Sequence, residues 1–197
     1  KNLTSDFVVA VINLENFKSI QNEIGNNNST LIYRDSPIFL DPRHYYLGAR
    51  IISPLEKLYL TIKKLKLKVV ESKVYAKESY TKGVPIEGLK NLQNQIFALE
   101  LNYEKFNAID FKKGCYVGQE NTARMKLKNK VRRQLLAIKA DCELKVGDEI
   151  KFKDTTIGKI LIDKPFPFAL IKLYDPEFSS FKKEKLNVNG CSVELIL

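Results

Sequence analysis

"KKGCYVGQENTAR", residues 112–124, is the stretch on which the reading of the whole chain turns. Cys115 follows Lys112, Lys113 and Gly114, and Gly118 separates it from the Gln119-Glu120 pair. "AIDF" before it reads as a strand, and "GQENTARMKLK" after it is rich in helix formers, which places Cys115 on a strand-to-helix connection. Free N–H groups at a helix start and two nearby lysines both favour thiolate over thiol. Glycines on both sides let another molecule approach the backbone closely. Glu120 and Arg124 are four apart, the spacing of a pair on one helical face. A free cysteine is also a common small buried hydrophobe. These residues alone leave both readings open.

Composition narrows the chemistry available around that loop. The chain has 197 residues, 44% hydrophobic and 28% charged, an ordinary globular mixture long enough for one large or two small cores. Every apolar run is broken by charge before it reaches the roughly 18 to 20 residues of a spanning helix, so no membrane role is expected. The three cysteines, Cys115, Cys142 and Cys191, are odd in number and far apart. That argues against a disulfide framework and for a reducing compartment. His44 is the one histidine, which disfavours a self-contained zinc site and most hydrolytic schemes that need a histidine base. No metal ligand is assigned. Cys142 and Cys191, in or beside strands, read as structural.

The net charge of +10 raises the question of a polyanionic partner. Most of it is scattered lysine, and only "KLKNKVRR", residues 126–133, concentrates it. That stretch reads first as a solvated linker with one basic face, so direct nucleic-acid binding is not expected. An RNA-binding module or an anionic ligand is the alternative.

Along the first two-thirds, helix and strand signals mix. "DFVVAVINL" is short and β-branched, "NFKSIQNEIGNNN" reads as a helix stopped by Gly25, and "STLIYRDSPIFLDPR" alternates as two strands turning at Asp35-Ser36-Pro37. "YLGARII" reads as a further strand. Pro54 opens a helix with Leu55, Leu58, Ile62 and Leu65 on one face, and "VVESKVYAKESYTKG" reads as another, stopped at Gly83. From Val131 the texture changes to short apolar segments, "RQLLAIKA", "DEIKFKD", "TIGKILID", "FALIKLY" and "CSVELIL", separated by turn signals. Such a run predicts a small closed β unit. The fold class is therefore α+β, with an α+β domain over 1–127 and a C-terminal β-barrel over 131–197.

"KKGCYVGQENTAR" resembles the KGCYxGQE signature of the YgfZ family, folate-binding relatives of the glycine-cleavage T-protein, an aminomethyltransferase. "DPRHYYLGAR" at 41–50, "GVP" at 83–85 and "ALELN" at 98–102 match the same family in the same order, and a small C-terminal barrel follows. The resemblance implies an aminomethyltransferase-like folate-binding domain followed by the barrel. Relatives begin with a substantial segment ahead of "DFVVAVINL", so that domain is expected to be partial.

The implied function is assembly or repair of iron-sulfur clusters in client proteins, including tRNA-modifying enzymes, in a folate-linked way and without classical enzymatic turnover. Cytoplasmic location is expected from the bacterial members, while other relatives work in mitochondria. Lys113, Gly114, Cys115, Tyr116, Gly118, Gln119 and Glu120 carry the motif, with Cys115 and Lys113 the expected functional pair. Glu100, with Asn102 beside it, resembles the acidic residue that T-protein relatives aim at the pterin of tetrahydrofolate or a derivative. The chain lacks tryptophan, and Tyr75 and Tyr80 are the phenol faces available to stack there. One cysteine cannot hold a cluster, so any transient iron-sulfur cluster would be shared with a client or an assembly scaffold. The other reading within this resemblance is a tetrahydrofolate-using aminomethyltransferase.

Overall fold

The computed structural model describes residues 2–128 and 130–197, in two compact units that part at Tyr75/Ala76. The change of texture near 127–131 marks the approach to the barrel; the compact units part earlier.

In the first unit, β1 (Val8–Ile12), α1 (Leu14–Ile24), β2 (Thr30–Tyr33), β3 (Ser36–Leu40), β4 (Ala49–Ser53) and α2 (Leu55–Lys64) follow in order. The strands form one antiparallel sheet, β1-β4-β3-β2. Asn13 Oδ1 accepts from Asn16 N–H at 2.8 Å and starts α1, and Gly25 in the left-handed region ends it. Phe17 and Ile20 of α1 are fully buried in one cluster with Leu31, Tyr33, Ile38, Ala49 and Ile51 of the sheet. The alternate positions Val9, Val11 and Ile32 are exposed, as the period of two requires.

Two local expectations change here. The β2–β3 turn is Arg34-Asp35, both with positive φ, and Ser36 and Pro37 already belong to the sheet. A two-residue loop of that kind matches the twist of a hairpin better than a proline corner does. The strand over "YLGARII" begins only at Ala49, because Tyr45–Leu47 form a 3-10 turn that His44 caps by accepting from Tyr46 N–H.

α3 (Ser72–Thr81) spans the unit boundary, and the second unit continues through α4 (Gln119–Leu127) to β5 (Arg133–Ala140), β6 (Glu149–Phe152), β7 (Thr155–Ile162), β8 (Phe168–Lys172), β9 (Leu186–Val188) and β10 (Cys191–Ile196). The six strands close in the order β10-β5-β8-β7-β6-β9. β5 shows why its apolar run is continuous instead of alternating. Leu136 and Ile138 enter a cluster with Ile150, Ile160, Ile171, Phe181 and Val193, while Leu135 and Ala137 pack in a second cluster with Leu92, Leu161, Phe168, Ile96 and Leu101. Both faces of that strand are buried, so the period-two signal is lost. Gly158 lets β7 and β8 come together, since a Cβ there would sit 2.6 Å from Ile171 Cδ1 and 2.8 Å from the Leu170 carbonyl oxygen.

Three sequence expectations are corrected in this unit. "AIDF" is not a strand; residues 108–110 are irregular, and Asp110 Oδ1 instead accepts from Lys112 N–H at 2.8 Å to make a local turn. β9, three residues long, is too short to carry any periodicity in the sequence. Cys142 and Cys191 form a disulfide across 49 residues. The pairing of β10 with β5, with Val193 opposite Ala140, brings two distant cysteines together that sequence spacing alone argued apart. Among the described residues, no helix is long and apolar enough to cross a membrane.

Candidate functional site

The Cys115 loop is built by short-range contacts. Gly118, with φ +85°, occupies the N-cap position of α4, a conformation that a side chain would strain. Gln119 closes the turn twice: its N–H donates to the Tyr116 carbonyl at 3.3 Å, and its Oε1 accepts from Tyr116 N–H at 3.2 Å. The Lys113 ammonium lies over the Tyr116 ring, 4.6 Å from its centroid. Lys113 makes no hydrogen bond to Cys115 among the described residues, so its charge helps shape the loop through Tyr116. Cys115 itself is exposed and is the free cysteine of the described chain. Gly114 has open space where a Cβ would stand, and Val117 is fully exposed. Glu120 and Arg124 form no ion pair among the described residues.

Glu100 and Asn102 lie elsewhere in the second unit, on a turn pinned to β5. The Glu100 carboxylate, buried, takes both Arg133 Nε at 2.8 Å and Nη2 at 3.1 Å, and also Phe97 N–H at 3.0 Å. Its backbone carbonyl accepts from Leu135 N–H at 2.8 Å. Asn102 donates through Nδ2 to the Leu135 carbonyl at 2.8 Å and accepts through Oδ1 from Gln134. Tyr80 donates to the Ile138 carbonyl, stacks on Phe166 with centroids 4.8 Å apart and meets Phe168 edge-on. Burial raises its phenol pKa above the usual range.

Tyr75 belongs to the first unit, where its hydroxyl accepts from Arg43 Nη2 at 2.7 Å and donates to Asp41 Oδ2 at 3.3 Å. Arg43 and Arg50 both pair with Asp41, whose side chain is 1% exposed. Burial alone would raise that carboxyl's pKa. The hydrogen bonds and charge of Arg43, helped by Arg50, outweigh it and hold the carboxyl at about 2. The first and last residues of "DPRHYYLGAR" are therefore one ionic knot, and Asp41, Arg43 and Arg50 are polar partners that sequence reading left unassigned.

The hydrogen-bonding ends of Glu100, Asn102, Tyr75 and Tyr80 each hold a protein partner, and both Glu100 oxygens are engaged by Arg133. Arg133 and Gln134 stand 33 and 32 residues beyond Glu100 and Asn102, and no spacing along the chain marks them as partners.

No family model matches the chain. It is 32% identical over 103 residues to a mitochondrial iron-sulfur cluster assembly factor IBA57 homolog of Dictyostelium discoideum, covering 51% of this chain and 25% of that protein. A Neurospora crassa IBA57 homolog is 29% identical over 164 residues, 79% of this chain and 33% of the relative. The tRNA-modifying protein YgfZ of Buchnera aphidicola is 29% identical over 123 residues, 58% and 35% of the two chains. The chain thus spans about a quarter to a third of the curated relatives it matches. Among solved structures, the glycine cleavage system aminomethyltransferase T from Bartonella henselae aligns with 90% of this chain and 55% of its own, with a TM-score of 0.59 and 12% identity. That likeness establishes the fold: a mixed α and β, aminomethyltransferase-like chain with a closed six-stranded barrel in its C-terminal part. In sequence, then, the chain is similar to IBA57 homologs and to YgfZ over part of their length, and in fold it is similar to the aminomethyltransferase T-protein.

Proposed function

We propose that the chain serves in assembly or repair of iron-sulfur proteins, with Cys115 as the group that contacts the cargo. The observation that carries this reading is the exposure of Cys115 as a free thiol in the "KGCYVGQE" turn at the head of α4. The names of the IBA57 relatives support the process, and the name of the YgfZ relative supports tRNA-modifying enzymes among the clients.

Among the described residues, no three His, Cys, Asp or Glu side chains come together as a metal site. The cluster is therefore cargo, and its remaining ligands come from a scaffold or client. In the proposed step, Cys115 loses its proton to water and its thiolate donates a lone pair to one cluster iron. One thiolate of the donor protein leaves that iron and is protonated. Transfer onward is the same exchange in reverse, with no change in electron count. Lys113, Tyr116 and Gln119 hold the turn that presents the sulfur, Gly114 keeps the approach open, and Glu120 places an exposed carboxylate in the first turn of α4.

Folate remains the cofactor expected from the family, and no step is routed through it because Glu100, Asn102, Tyr75 and Tyr80 hold protein partners. The cytoplasmic setting expected from bacterial relatives belongs to this proposal too; the IBA57 relatives are named as mitochondrial.

The test is complementation of cells lacking their YgfZ-type protein, with cluster-dependent tRNA thiolation as the readout. Rescue by the chain and none by Cys115→Ala is expected. Equal rescue by the Ala variant, or none by the chain itself, ends the reading.

A further inference from the structure

The basic stretch 126–133 has a structural counterpart that the Cys115 reading does not use. Lys128, Lys130, Arg132, Arg133 and Lys172 line one cleft of about 760 Å³ together with Tyr174 and Asp175. Arg133 and Lys172 also line a second cleft of about 260 Å³, which adds Lys159 from β7. The two clefts share a wall, so the cations form a continuous track on the barrel unit.

The charge on that track is largely uncompensated. Arg133 is paired with Glu100, but Lys128, Lys130, Arg132 and Lys172 have no ion-pair partner among the described residues. Lys172 Nζ reaches only the Thr156 carbonyl, at 2.9 Å. Among the described residues, the Asp175 carboxylate is the one acidic group in the larger cleft. In the β5–β8 ladder, moreover, Arg133 stands directly opposite Lys172. Like charges at opposite positions of an antiparallel pair destabilise a sheet. Glu100 already neutralises Arg133, so the Lys172 ammonium is the cation of that pair left for an anion.

The kind of anion follows from shape and from one aromatic ring. Two joined clefts suit an extended polyanion better than a single phosphate. Tyr174 is 54% exposed in the larger cleft, and its ring has no ring partner among the described residues. A planar face beside a row of cations suits a ligand that alternates phosphates with bases, since stacking on an aromatic ring tolerates any base. An acidic peptide would use the cations and leave the ring without a role.

We infer that Lys128, Lys130, Arg132 and the β8 end of the barrel form a binding track for single-stranded nucleic acid, with Tyr174 as a base-stacking platform. This goes beyond the sequence expectation of a solvated linker face and takes up the anionic-partner alternative to it. The track is independent of the Cys115 chemistry.

The test is fluorescence anisotropy of the full chain with labelled oligouridylate and oligothymidylate of about twelve nucleotides, titrated between roughly 50 and 200 mM salt. Binding should weaken steeply with salt. The triple substitution Lys128→Gln, Lys130→Gln, Arg132→Gln should flatten the log–log salt slope by roughly 2, about 0.7 for each lost phosphate contact. Tyr174→Leu should weaken binding roughly tenfold while leaving that slope unchanged. Cys115→Ala should bind as the parent does. Preference for either oligonucleotide, or for neither, is compatible with the track and tells which polynucleotide it takes. Absence of binding, an unchanged slope in the triple variant, or equally tight capture of labelled polyglutamate overturns the proposal. All four substituted side chains are exposed, and the parent chain's own salt dependence is read without any variant.

Discussion

β5 and the Cys115 loop lie close in sequence and differ in almost every physical respect. Leu135, Leu136, Ala137 and Ile138 are buried on both faces of their strand, with partners from distant segments of the second unit. From Phe111 to Gly118 every residue is exposed, and the contacts that shape the turn come from within a few residues. The contrast teaches that stability and proposed chemistry are separable here. Substitutions in the barrel should act on folding, and substitutions in the loop should act on cargo.

The strongest way to break that contrast is to disturb the barrel interior. Phe181 is fully buried and meets Phe152 and Phe178. Phe181→Ala should cost about 3–5 kcal/mol in a urea melt, through lost burial and the cavity left behind. A variant that melts like the parent would show that the barrel does not carry the unit.

The Cys142–Cys191 bridge should come next. It restrains a 49-residue separation between the β5 side of the barrel and its last strand. Paired Cys→Ala replacement, or reduction, should lower stability by about 2–4 kcal/mol. Free-thiol counts before and after denaturation provide the check: one accessible thiol in the native oxidised chain, and three after reduction and unfolding.

Asp41 extends the comparison to a buried polar centre. Its carboxyl pKa is about 2 in the fold, against an ordinary 3.8, so its contribution is present above the unfolded value and lost as pH falls through the folded one. The size is about 2 kcal/mol, from about 1.4 kcal/mol per pH unit. Melts of the parent and Asp41→Asn should therefore differ by about that much at neutral pH and converge as the pH approaches 2. A difference that survives in acid would assign the effect to packing.

The smallest stability effect should come from Cys115→Ser. An exposed loop substitution should move the melt by less than about 0.5 kcal/mol while alkylation by a thiol reagent in the native state disappears. A variant that unfolds would return Cys115 to the packing role from which its exposure separates it.

The elements legible in the sequence are those whose signal is local. α1 ends at the predicted Gly25, and α2 begins behind Pro54. α4 starts behind Gly118, and five of the six barrel strands coincide with the apolar segments between turn signals. "AIDF" failed because four residues of strand composition with no pairing partner do not make a strand. The reading of Glu100 and Asn102 drew on a family resemblance that says nothing of their partners, Arg133 and Gln134, which stand about 30 residues further on.

The sequence by itself determined the α+β class, the closed β unit at the C-terminal end, the resemblance to YgfZ-type proteins and the loop that carries Cys115. Each of these is written in spacings of a few residues, where propensity, capping and turn chemistry act directly. Only the tertiary structure decided that Cys142 meets Cys191, that Glu100 is held by Arg133, and that scattered lysines and arginines share one cleft with Tyr174. Those meetings depend on strand register and barrel closure, which bring residues 30 to 50 positions apart within contact distance and leave no periodic trace in the chain.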